Sequence, residues 1–157
     1  MKRAAAAVLA CLATLAMTTR CAETESPHHH GDSPPDSRVA VAFPGPLRAH
    51  TLENMRDHLL TLQRIQDDLA RGAFDDAAQL AETRLGLSSL EAHGAHEVAR
   101  YMPEGMQDFG MQMHKAASRF ALEATNAGAT GDVKKALAAL AGVTSQCVAC
   151  HAAYKLE

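Results

Sequence analysis

The chain has 157 residues, 47% hydrophobic and 21% charged, with a formal net charge of −3. That length suits one compact domain, and that charge excludes both a disordered polyelectrolyte and a basic nucleic-acid-binding face. Aromatic residues make up only 4%, with 4 Phe, 2 Tyr and no Trp, so side chains alone leave the core short of large flat groups.

Met1-Lys2-Arg3 is a short basic start, and an uncharged, mostly apolar run from Ala4 to Met17 follows it. This is the pattern of a bacterial secretory signal. The run is shorter than the roughly 20 residues that span a bilayer, so residues 1–22 are read as a segment removed on export to the periplasm, with no membrane association afterwards. Their removal takes away Lys2, Arg3 and Arg20 and no acidic residue, which moves the net charge from −3 to −6. Cys11 and Cys21 leave as well. Cys147 and Cys150 remain, three positions apart, and cannot staple a domain.

Residues 23–45 are rich in Pro, Ser, Asp and His and read as a flexible lead-in, with His28, His29 and His30 part of a solvated tail. Residues 46–157 lack strand-like alternation and show four stretches of helical spacing. The first carries Leu52, Met55, Leu59, Leu62, Ile65 and Leu69 and ends at Gly72. The second opens at Phe74-Asp75-Asp76, carries Ala77, Leu80, Ala81 and Leu87, and ends before Gly94. The third starts at Pro103-Glu104 and carries Met106, Phe109, Met113, Ala117, Phe120 and Ala124 before stopping in Asn126-Ala127-Gly128-Ala129-Thr130-Gly131. The fourth starts from an Asp132 N-cap and carries Val133, Leu137, Leu140, Val143, Cys147 and Tyr154. Four amphipathic helices with short links predict an all-α, antiparallel four-helix bundle. The link from His93 to Met102 is the least determined part.

Cys147-Val148-Ala149-Cys150-His151 carries the chemistry. Positions i, i+3 and i+4 share a helix face, so both sulfurs and the imidazole can point at one planar object. Haem c meets that demand: each thiol adds across a vinyl group to form a thioether, and His151 binds the iron. A zinc site would need a second pair of ligands. A thioredoxin-type pair should follow a strand and open a helix, whereas this one lies in the last turns of the last helix. A haem-free redox or metal module using the pair stands as the remote alternative.

A haem-attachment motif at the end of an all-helical chain, followed by Ala152-Ala153-Tyr154-Lys155, resembles the class II c-type cytochromes, namely cytochrome c-prime and its low-spin relatives. The run Arg48-Ala49-His50-Thr51-Leu52-Glu53-Asn54-Met55 is also similar to that family. The resemblance implies a five-coordinate iron with Leu52 over its open side, where nitric oxide or carbon monoxide binds. It also places Arg48, Tyr154 and Lys155 around the haem, although the family more often has Arg where this chain has Lys155, and Met106 on the third helix is expected among the haem surroundings as well.

The residues themselves leave a second reading open, a low-spin carrier in which Met55 supplies the sixth ligand. Met106, Met111, Met113 and His114 are further candidates on the third helix. His58 and His114 are expected to be hydrogen-bonded or surface groups, and His93 and His96 loop residues. No nucleophile, base and acid set appears, so electron transfer with periplasmic redox proteins is expected rather than catalysis. Related bundles pair through their first two helices, and Leu60 suits such a homodimer.

Overall fold

A computed structural model describes residues 35–157. Residues 1–22, read as an export signal, and residues 23–34 of the expected lead-in, with their three histidines, lie outside the described residues. The lead-in does not extend to residue 45. Val39–Val41 forms a strand, β1, and Val41 and Phe43 are buried. Its partner is the C-terminal strand β2, Tyr154–Leu156, which runs parallel to it with Val39 opposite Tyr154 and Val41 opposite Leu156. Three-residue strands are too short to show alternation in the sequence, and this pair joins residues more than a hundred positions apart.

Most of the rest of the described chain is helical, so the fold is all-α. Helix α1 spans Gly45–Ala70, opens with Pro46 in its first turn and buries Leu62, Ile65 and Leu69. Gly72 follows it with φ of 74°, a backbone conformation that favours glycine. Helix α2, Phe74–Arg84, has Asp75 and Asp76 in its first turn and Arg84 in its last, matching the helix dipole at both ends. It stops short of the expected end: Leu87–Ser89 is a separate 3-10 turn. The undetermined link holds one short helix, α3, at Ala95–Ala99.

Helix α4 spans Glu104–Thr130 and runs through the segment read as its stop. Ala124 and Ala127 are buried there, and that packing outweighs the weak helix propensity of Asn126, Gly128 and Thr130. Gly131, with φ of 75°, ends it. Helix α5 spans Val133–Ala153, so Tyr154 belongs to β2 and not to the helix. Asp132 stands at its N-cap but makes no side-chain capping bond; its carboxylate lies 3.8 Å from Lys135.

Helix α4 packs against α2 and α5, and α1 packs against α2. The main core gathers Leu62, Ile65 and Leu69 of α1, the small Ala77 and Ala81 of α2, Phe120 of α4, and Leu140 and Val143 of α5. Leu137, expected on that face, is 52% exposed. A second cluster joins Val41, Phe43, Val98 and Met106, with Tyr154 and Leu156 packed on it. Gly105 serves this cluster, since a Cβ there would come within 2.6 Å of the Tyr154 hydroxyl. Cys147 packs on the first cluster and Cys150 on the second. Among the described residues, α5 is the helix long and apolar enough to cross a membrane, with a mean hydropathy of 1.4 over its most apolar window.

Candidate functional site

The last turns of α5 open onto a cavity of about 420 Å³. Gln146, Cys147, Cys150 and His151 form its α5 wall, as the i, i+3, i+4 spacing requires. Helix α1 adds Thr51, Asn54, Met55 and His58. The link adds Leu90, His93, Val98 and Met102, and α4 adds Met106, Phe109, Met113 and His114. The walls are mainly apolar, with a few convergent polar groups, which is the usual make-up of a cofactor or small-molecule site.

Both thiols are free and half-buried. Burial pushes the Cys147 thiol above its ordinary pKa, and burial together with the neighbouring Cys147 does the same to Cys150. At neutral pH both are therefore held as S–H groups. The Cys147 thiol donates to the Val143 carbonyl at 3.7 Å. Residues 36–38 meet the C-terminal segment just beyond the motif: Arg38 donates to the His151 carbonyl at 3.5 Å, and Lys155 and Arg38 both pair with Asp36.

Several expected haem neighbours stand elsewhere. Leu52 is half-buried and does not line the cavity, because the face that does runs Thr51, Met55, His58 in steps of four and three. Leu52 lies off that stripe. Arg48 donates from Nε to the Glu157 carbonyl at 2.7 Å. Lys155 lies 3.3 Å from Asp36, and Tyr154 packs in the second cluster; neither lines the cavity. Met55 and Met106 do line it.

The sequence reading missed a cluster of three histidines. The ring centroids of His58 and His93 are 4.7 Å apart, those of His93 and His114 are 5.5 Å apart, and those of His58 and His114 are 6.3 Å apart. The Nδ1–H of His114 donates to the Leu85 carbonyl at 2.7 Å, which leaves its Nε2 as the bare nitrogen. Ser89 donates to the Gly86 carbonyl and sits 3.4 Å from Nδ1 of both His93 and His114. Asn54 donates to the His93 carbonyl at 3.2 Å and His50 contacts the same oxygen at 3.1 Å, tying the link to α1. His114 is thus hydrogen-bonded as expected, whereas His58 is not: its Nε2 is buried without a partner. His93 is more than a loop residue, and His96 is exposed but belongs to helix α3 and not to a loop. Positions 58, 93 and 114 share no local spacing that could have signalled the cluster.

Burial, reinforced by repulsion from His93 and His114, holds the His58 pKa at about 4 against an ordinary 6.5. Burial lowers His93 and His114 as well. The folded cluster is therefore neutral where the unfolded chain binds protons. For the chain without a bound cofactor, stability is fully present above pH 6.5 and falls as pH drops toward 4, by about 3 kcal/mol for His58 alone. Urea-unfolding midpoints measured from pH 7 to 4.5 check this, and a flat profile would contradict it.

Among the described residues, no three His, Cys, Asp or Glu side chains are gathered closely enough as they stand to hold a metal ion. Comparison with known proteins finds no matching family model, no matching curated protein and no matching solved structure.

Proposed function

We propose that this protein is a periplasmic c-type haem protein that carries single electrons, with α1, α2, α4 and α5 forming an antiparallel four-helix bundle of the class II cytochrome type. The observation that carries the reading is that Cys147, Cys150 and His151 line one apolar cavity from a single face of α5, with Met55 and His58 in the wall contributed by α1.

The residues fit the group. Two protonated thiols on one helical turn can each add S–H across a vinyl group, the sulfur bonding to one carbon and the hydrogen to the other, with no change in oxidation state. The His151 imidazole, in the same turn, would hold the iron. Bound there, a haem supplies a one-electron iron couple. The chain's own part is to hold it covalently, to exclude water with the methionine-rich walls, and to set the coordination of the iron. No catalytic residue is assigned.

Leu52 lies off the wall, whereas Met55 and His58 are part of it. This supports a six-coordinate carrier over a five-coordinate site open to nitric oxide or carbon monoxide. The mature charge of −6 suits a redox partner with a basic face. Leu59 and Leu60 are exposed on α1, which supports a homodimer through that helix.

Full-length protein, expressed with a c-type maturation system and boiled in denaturant, should retain a haem-staining band at its own mass on electrophoresis. A colourless band overturns the proposal.

A further inference from the structure

We infer that His58 is the second axial ligand of the iron, so that the site is low-spin with two imidazole ligands, one from α1 and one from α5. The inference rests on the covalent-haem reading above. His58 lines the same cavity as Cys147, Cys150 and His151, but from a different helix. Helix α1 packs on α2, and α5 packs on α4, so the two imidazoles come from helices whose main partners lie elsewhere. A flat group held by α5 can therefore be met by a ligand from α1.

The unsatisfied nitrogen is the decisive feature. Among the described residues, Nε2 of His58 is the buried side-chain nitrogen or oxygen that has no hydrogen-bond partner. Native interiors rarely leave such an atom unmatched, because it forfeits its hydration and receives nothing in return. An iron atom supplies the missing partner. The competing groups have no such deficit. His114 is anchored through Nδ1 to the Leu85 carbonyl, and His93 lies against Ser89. A thioether such as that of Met55 is at ease in an apolar wall without any partner.

Ferric and ferrous spectra and electron paramagnetic resonance of the full-length holoprotein test the inference. The wild type should be low-spin in both oxidation states and lack the near-infrared charge-transfer band of sulfur ligation. His58→Ala should turn high-spin and bind carbon monoxide on the order of tenfold more tightly or better, since an internal ligand no longer competes. Added imidazole should restore its low-spin spectrum, a rescue that a merely structural histidine would not show. The low-spin signature should survive Met55→Leu.

A high-spin wild type overturns the inference. So does a low-spin signature that survives His58→Ala or that disappears in Met55→Leu. If His58→Ala fails to fold, the wild-type near-infrared and resonance spectra decide alone. Haem-stained protein with the wrong ligation defeats only this inference, whereas protein without covalent haem defeats the reading beneath it.

Discussion

Serine at both Cys147 and Cys150 should give a chain that loses all its pigment on boiling in denaturant. Serine keeps the size and the turn of α5 but cannot form a thioether, so any haem left in the cavity is held by coordination and packing alone. The fold should suffer as well. Both cysteines pack against buried clusters, Cys147 on the main core and Cys150 on the cluster around Val98 and Met106. The cavity between them is large for a chain with 4 Phe and 2 Tyr. If the bound group stabilises the folded state as a tight ligand does, its loss costs about 4 kcal/mol or more. Thermal unfolding of the double variant beside the wild type measures this. Retained colour after denaturation, or an unchanged midpoint, would show that the thiols do not hold the cofactor.

Phe120→Ala should destabilise the protein by about 3–5 kcal/mol while leaving the spectrum of the proposed haem as it was. Phe120 is fully buried in α4, and Ala117, Ala121 and Ala124 beside it are too short to refill the space. It is not among the residues that line the cavity. The variant therefore separates the stability of the bundle from the chemistry of the site. Denaturant titration should move to a much lower midpoint. A changed spin state, or a loss below about 1 kcal/mol, would mean that the two regions are coupled or that the core closes around the gap.

The helices were legible because each buries one stripe at a regular step. Leu62, Ile65 and Leu69 on α1, and Ala117, Phe120 and Ala124 on α4, were picked out by spacing and are buried. Their ends were less legible. Helix α4 continues through Asn126-Ala127-Gly128 because Ala127 finds a neighbour to pack against, which no local composition records. The β1–β2 pair could not be read at all, since each strand is three residues long and finds its partner only when segments more than a hundred residues apart meet. The α1 wall of the cavity carries Thr51, Met55 and His58, whereas Leu52, placed over the iron by the resemblance, is not part of it.

The Cys-x-x-Cys-His pattern belongs to the sequence alone: Cys147, Cys150 and His151 share a helix face because 3.6 residues make a turn, whatever surrounds them. What stands across from them belongs to the tertiary structure. Residues 58, 93 and 114 come from α1, the link and α4, and only the packing of those elements brings their rings within 4.7 to 6.3 Å of one another. Local periodicity fixes the direction of a side chain from its own helix axis. The rotation of one helix against another is set by which residues fill the shared core, and that decides which group faces the cavity.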